Sequence, residues 1–314
     1  MFDIVRYTHD RQDEWNRFVA QSKNGTFLFD RRYMDYHADR FDDCSLMIYD
    51  DGRLYALLPA CDDGEGTLWS HRGLTYGGLI MSDRCRAAGV RDVFVALNDT
   101  LRRHRFQRVV YKHIPWPYAA RPAEEDLFAL SNVCHAALRS RDVASVVDLH
   151  RRLAFSTLRR RGAKKAKARG LCVEQMADCA AFWAVLEENL MSRFGAHPVH
   201  SLSEISLLRN RFPQNILLFG VFDGEQLLGG TVLYVTPWVV KTQYISANAE
   251  GKRCGALDLL FSTLLDRYEA AGWRFFDFGT SNLVDTDDLN DSLIFQKEGF
   301  GGRAVCYDTY EWRL

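Results

Sequence analysis

The sequence predicts an α+β protein of two domains, each a mixed, mostly antiparallel sheet flanked by helices. Three observations lead there. The 314 residues suffice for two cores of ordinary size. The segment order helix, antiparallel strands, helix, strand occurs on both sides of a basic stretch near the midpoint. The mixture of helical and strand patterns within each half calls for a sheet with helices packed on it. No residue-level repeat accompanies the order, so the tandem arrangement rests on element order alone. The expected divisions are 1–150, a basic linker or helix over 151–170, and 171–314.

The bulk composition narrows the class. At 47% hydrophobic and 26% charged, the chain is that of a globular protein, and no apolar run approaches the roughly 20 residues needed to cross a bilayer. The start, MFDIVRYTHDRQDEW, carries charges where a signal peptide needs an apolar centre, which points to a cytoplasmic protein without an integral membrane segment. Eight cysteines stand singly, without the C-x-x-C spacing of a zinc or redox site, so reduced thiols and no metal are expected. Forty basic and 41 acidic residues nearly cancel, and any basic binding surface must be local.

In the first half, DEWNRFVAQS places Trp15, Phe18 and Val19 at helical spacing. CSLMIYD, RLYALLPA and TLWSH read as strands, the first two joined at Asp51-Gly52. HRGLTYGGLI gathers Gly73, Gly77 and Gly78, a sign of tight backbone near a cleft or bulge; His71 and Tyr76 there are candidates for an acceptor cleft, and core packing is the competing reading for Tyr76. VRDVFVALNDTLRRH then reads as a helix and FQRVVYKHI as a strand stopped by Pro115 and Pro117.

Between Arg151 and Arg169 lie nine Lys or Arg and no acid. The charges surround any helix drawn through them, so the bland reading is a solvated inter-domain helix or linker. The functional alternative is a surface facing phosphates.

In the second half, CAAFWAVLEENLMSRF and SLSEISLLRNRF read as helices. A helix end near Gly195 puts Asn189 and Arg193 on one face at i and i+4, with His200 in a loop that can fold back. ILLFGVFDGEQLLGGTVLYV is a hairpin turning at Asp223-Gly224; Gly229-Gly230 suggests either a bulge or room for a ligand. In WVVKTQYISA, strict alternation puts Lys241, Gln243 and Ile245 on one face and Thr242, Tyr244 and Ser246 on the other. GKRCGALDLLFSTLLDRYEAAG sets a glycine turn before a helix with an apolar stripe through Leu257, Leu260, Phe261, Leu264 and Tyr268. Amides at such a start attract phosphate, which makes Lys252, Arg253 and Gly255 candidates for holding the phosphates of a donor. Asp277, among phenylalanines in RFFDFGTSN, is a buried carboxylate with either a structural or an amine-orienting role. In FQKEGFGG, an ammonium placed by a tight glycine turn suits an oxyanion or a substrate anion, which selects Lys297.

This order of segments resembles the GNAT acyltransferase superfamily, whose pyrophosphate loop Q/R-x-x-G-x-G/A is met here by Lys252, Gly255 and Leu257, the central glycine fitting. The whole chain resembles the FemABX-like branch, two tandem GNAT-like domains, through NGTFLFDRRYMDYHADRF, SHRGLTYGGLI, the basic run, and DFGTSN to FQKEGFGG. That resemblance implies transfer of an acyl or aminoacyl group, from acyl-CoA or aminoacyl-tRNA, to a primary amine of a peptide, saccharide or cell-envelope acceptor. It also implies a catalytic role for Lys297. Asp277 and Tyr244 stand beside it as catalytic candidates, and Asn189, Arg193, His200, Gln243 and Tyr76 as substrate-binding ones. No tightly bound cofactor is expected. The rival reading is a non-catalytic protein that holds a phosphorylated glycan or RNA through the basic run.

Overall fold

A computed structural model describes residues 2–283, 286 and 288–314, apart from the side chains of residues 193 and 194. The chain forms two compact units, residues 1–142 with 306–314, and residues 143–305. The sequence places the division at 150 and assigns the last residues to the second half. A return of the carboxyl terminus to the first unit is a non-local pairing that local patterns do not carry.

The first unit contains strands β1 (Phe2–Arg6), β2 (Asp42–Asp43), β3 (Leu46–Asp50), β4 (Arg53–Leu58), β5 (Cys61–Asp62), β6 (Thr67–Trp69), β7 (Ile80–Met81) and β8 (Arg108–Lys112). Its helices are α1 (Gln12–Gln21), α2 (Arg31–Met34), α3 (Ala87–Arg103) and α4 (Glu125–Asn132). One antiparallel sheet runs β1-β3-β4-β7. In a second, β8 pairs with β6 and with residues 309–313 of the terminal strand. Both rest on a core that includes Ile48, Leu58, Phe94, Leu97, Tyr111 and Trp312.

The first unit closes its buried charges internally. Arg31 lies 2.5 Å from Asp35 and 2.6 Å from Asp43, and Lys23 lies 2.5 Å from Glu125. The Tyr111 hydroxyl donates to Asp126 and accepts from the Leu79 amide, each at 2.6 Å. Gly78 meets that hydroxyl closely and has φ +84°, so a side chain is excluded on both counts.

The second unit begins in β9 (Ala137–Asp148) and continues with α5 (Thr157–Ala168), β10 (Cys172–Gln175), α6 (Ala180–Phe194) and α7 (Leu202–Arg211). Then come β11 (Ile216–Asp223), β12 (Gln226–Val235), β13 (Val239–Ala247), α8 (Ala249–Cys254), α9 (Ala256–Ala270), β14 (Phe275–Thr280), α10 (Asp291–Glu298) and the start of β15 (Arg303–Arg313), which belongs to the first unit from residue 306 on. Its strand order is β10-β11-β12-β13-β14-β9, antiparallel except for the β13/β14 pair. The Ser201–Glu204 capping box opens α7, and Gly195 in the left-handed region closes α6. Leu260, Phe261, Leu264 and Leu265 of α9 are buried against Val240, Phe276 and Phe278. Truncating one of these leucines to alanine costs about 2–5 kcal/mol.

Of the two forms expected for the basic run, helix or linker, the structure has the helix. Thr157–Ala168 is helical and packs on α9 through the fully buried Ala166, with Arg159 paired to Asp258 at 2.6 Å. A Cβ on Gly162 would lie 1.8 Å from Asp258 Oδ2, so the glycine permits this approach. Only the far side of α5, with Arg160, Arg161, Lys164, Lys165 and Lys167, faces solvent. No helix among the described residues is long and apolar enough to cross a membrane.

Candidate active site

The site arises where β13 and β14 part. Their parallel pairing runs from Val239↔Phe275 to Lys241↔Asp277, while β13 continues to Ala247 and β14 to Thr280. A cavity of about 460 Å³ opens there, walled by α6, the end of β13, α8, α9, Phe278 of β14, α10 and Phe300.

The face assignment made from strict alternation fails in β13. Val232 faces Tyr244 and Leu233 faces Thr242, so Gln243 is an extra residue in a bulge. The bulge reverses parity, and Val240 and Ile245 pack on the same core. Gly229 and Gly230 in the neighbouring strand do not line the cavity. A Cβ there would lie 2.6 Å from Ala247 Cβ and 2.4 Å from Phe219 O respectively, so close strand packing accounts for them.

Lys297 lies in the last turn of α10, not in a glycine turn; the glycines follow it. It is 5% exposed, lines the cavity, and donates to the carbonyls of Gly279 at 3.0 Å and Thr280 at 2.6 Å. Those carbonyls are presented by a turn in which Gly279 has φ +73° and donates its amide to Asp277 Oδ1 at 2.6 Å. Asp277 is fully buried and thus fixes the turn that holds Lys297.

Opposite Asp277 in register stands Lys241, also buried, donating to Thr242 O at 3.4 Å and Gln243 Oε1 at 3.2 Å. The charge of Asp277 acts on both lysines. Burial pushes the Lys297 ammonium down to about 8, with Asp277 opposing and the Lys241 charge adding to the fall. Burial likewise lowers Lys241, against the pull of Asp277. Lys241 was not among the sequence candidates. A lysine inside the apolar run WVVKTQY was the available signal, hidden by treating the strand as regular.

A second group brackets the far end of β13. Asn189 Nδ2 donates to Ser246 Oγ at 2.7 Å and Ala247 O at 2.8 Å, and its Oδ1 accepts from Lys252 Nζ at 2.5 Å. Asn189 and Lys252 both line the cavity. Tyr244 and His200 form a separate pair, His200 Nδ1 to the phenol oxygen at 2.6 Å, with Trp183 edge-on to the Tyr244 ring at 5.1 Å. Neither lines the cavity. Burial raises the Tyr244 phenol to about 12, so at neutral pH it is a hydrogen-bond donor rather than a base.

The remaining candidates lie elsewhere. Arg253 is exposed and paired with Glu250. Gly255, at φ +82°, ends α8 and starts α9; a Cβ there would lie 2.6 Å from Gly162 O, so α5 backbone covers this helix start. Asp258 in the first turn of α9, paired with Arg159, already complements the helix dipole. Gly255 thus owes its place to a tight helix junction. Tyr76 belongs to the first unit and is 1% exposed, packed on Tyr118, which matches its core reading. His71 is likewise buried there, at φ +63°. The Arg193 side chain lies outside the described residues. Among the described residues no group of three or more His, Cys, Asp or Glu is placed to hold a metal ion.

Residues 134–286 match the acetyltransferase (GNAT) domain family. The protein carries an acyltransferase domain of the GNAT type over those residues. Its tandem fold is shared with the crystal structure of FemX, at 10% identity and a TM-score of 0.72 over 99% of this chain and 97% of that one. L-PGS from Bacillus licheniformis is similar at 12% identity and a TM-score of 0.61, covering 98% and 92%. A tandem GNAT protein from the clavulanic acid biosynthesis pathway is similar at 13% identity and a TM-score of 0.54, covering 100% and 98%. At these identities the likeness is one of fold. No curated protein matches the sequence. Lys297 lies beyond the family match, eleven residues after its end.

Proposed function

We propose that the acyltransferase moves an acyl or aminoacyl group from a phosphate-bearing donor to a primary amine of a peptide-, saccharide- or cell-envelope-type acceptor, and that Lys297 receives the developing oxyanion. The donor is acyl-CoA or aminoacyl-tRNA. One observation carries the reading: a buried ammonium with two of its three hydrogens held by fixed carbonyls at the wall of a cavity. Its third hydrogen is available to a donor carbonyl without reorganisation, the arrangement that stabilises a tetrahedral adduct best.

In the step proposed, the amine lone pair attacks the acyl carbon, the C–N bond forms, and the carbonyl electrons move onto oxygen beside Lys297. The adduct collapses, the bond to the leaving sulfur or oxygen breaks, and that atom leaves with the electron pair and takes the proton shed by nitrogen. Asp277 acts as a positioning residue through the Gly279 turn. Tyr244, held by His200, with Gln243 and Arg193, is assigned to the acceptor. Lys252 and Arg253 on α8 are assigned to the donor phosphates. The covered start of α9 favours these side chains over its amides, and Lys165 of the basic helix donates to the Arg253 carbonyl at 3.0 Å.

The test is a thermal-shift and mass-spectrometric screen with acyl-CoAs and charged tRNA, each offered with amine acceptors. An amide product and loss of about 10²–10³ in kcat for Lys297→Ala, with donor affinity kept, are expected. Normal turnover by that variant would sink the role of Lys297. Salt-dependent binding of RNA or a phosphoglycan with no donor consumed, abolished by neutralising Arg159, Arg160 and Arg161, would establish the non-catalytic alternative.

A further inference from the structure

The cavity wall has a chemistry that acyl transfer in general does not require. Nine of its 16 lining residues are apolar, and none is acidic. The Phe278 ring lies 4.9 Å from that of Phe261 and is stacked on Phe300 at 5.5 Å, so the floor is a continuous aromatic surface. The charged residues of the lining are Lys252 and Lys297. Of the carboxylates on the surrounding elements, Asp258 is paired with Arg159, Glu250 with Arg169 and Arg253, Asp266 and Glu269 with Arg152, and Asp277 holds the Gly279 turn, while Glu187, Glu188, Asp291 and Glu298 are exposed and outside the lining. Among the described residues, then, no acid faces the space where the acyl group would lie.

We infer that the cavity accepts an uncharged, apolar acyl group and rejects one that carries an ammonium. The inference rests on the reading of this cavity as the acyl site, and it narrows that reading to a plain acyl group, since an aminoacyl group brings an α-ammonium. An ammonium placed there would leave water, meet no carboxylate, and sit beside two like charges, each of which disfavours it. A methylene placed on the aromatic floor gains about 0.8 kcal/mol, roughly fourfold in affinity. The two effects act in the same direction, and the lysines that suit a carbonyl oxygen are the groups that repel a cation.

The experiment has a binding arm and a turnover arm. In the first, calorimetry on the full chain measures hexanamide, 6-aminohexanamide and adipamic acid, amides of matched length that are neutral, cationic and anionic. Hexanamide should bind at least tenfold more tightly than 6-aminohexanamide, and Leu257→Glu should remove most of that difference; Leu293→Glu serves if the first variant does not fold. No saturable binding of hexanamide, or tighter binding of either charged amide, would overturn the inference. In the second arm, hexanoyl and 6-aminohexanoyl groups are offered as coenzyme A thioesters, and leucyl-tRNA, whose aminoacyl ester carries an α-ammonium, is offered as a second cationic donor. Preference for the hexanoyl thioester over both cationic donors supports the inference. Equal or better use of either cationic donor overturns it while leaving acyl transfer intact. Neutral preference in binding with no transfer from either carrier overturns the transferase reading instead.

Discussion

The two units treat buried charge in opposite ways. In the first, Arg31 meets two carboxylates and Lys23 meets one, and each group finds its partner within the unit. In the second, the charge of Asp277 acts on both Lys241 and Lys297, and Lys297 lines an open cavity. A closed ion pair holds structure together and leaves nothing to offer a substrate. A surplus ammonium in an apolar wall costs stability, and that cost is sustained at sites where a charge is required by the chemistry.

Breaking the closed set should have the largest effect. Arg31→Met leaves Asp35 and Asp43 without their cation and is expected to destabilise the protein by about 3–5 kcal/mol in urea unfolding. A loss below 1 kcal/mol would show that these pairs are not structural. Acid should act next. Burial depresses His71 to about 3, with the charge of neighbouring His37 contributing. A histidine kept neutral in the fold but free to protonate near 6.5 when unfolded lends stability that is present above about pH 6.5 and lost as pH falls toward 3. About 3 kcal/mol should be gone by roughly pH 4.5, and His71→Leu should flatten that dependence. His113, raised by Asp126 despite its burial, contributes in the opposite sense.

Substitution of the surplus charge should do much less to the fold. Lys241→Met is expected to change unfolding stability by less than about 1 kcal/mol, because Asp277 keeps the Gly279 amide and the nearby Lys297 charge. A loss comparable to that of Arg31→Met would erase the distinction between the units. Smallest of all, Arg160→Gln with Arg161→Gln on the exposed face of α5 should leave stability within about 0.5 kcal/mol. Donor KM should rise severalfold at low salt and converge with wild type at high salt.

Elements with local signatures were legible in the sequence: the helix of Trp15 and Val19, the Asp223-Gly224 hairpin, the stripe of α9 and the stop at Gly195. The strands β1, β9, β10 and β15 were not, for a physical reason visible in β9. Its first half, ALRSRD, is largely exposed and charged, so neither an apolar run nor clean alternation marks it. The site was legible in its residue types more than in its geometry. Lys297 stood out because of the glycines around it, yet a helix turn and two carbonyls hold it. Lys241 escaped notice because one inserted residue, Gln243, reversed the faces of its strand. The basic run declared its charge but not the buried Ala166 that anchors it.

Catalysis as proposed turns on the ammonium form of Lys297, and the pH dependence of kcat under single-turnover conditions tests it most directly. With the lysine lowered to about 8, the active ammonium is lost as pH rises through that value, so wild type should show a descending limb there. Lys241→Met removes a neighbouring positive charge and should move that limb to higher pH, and Lys297→Met should abolish it along with most of the rate. A descending limb that stays in place in both variants would contradict the account.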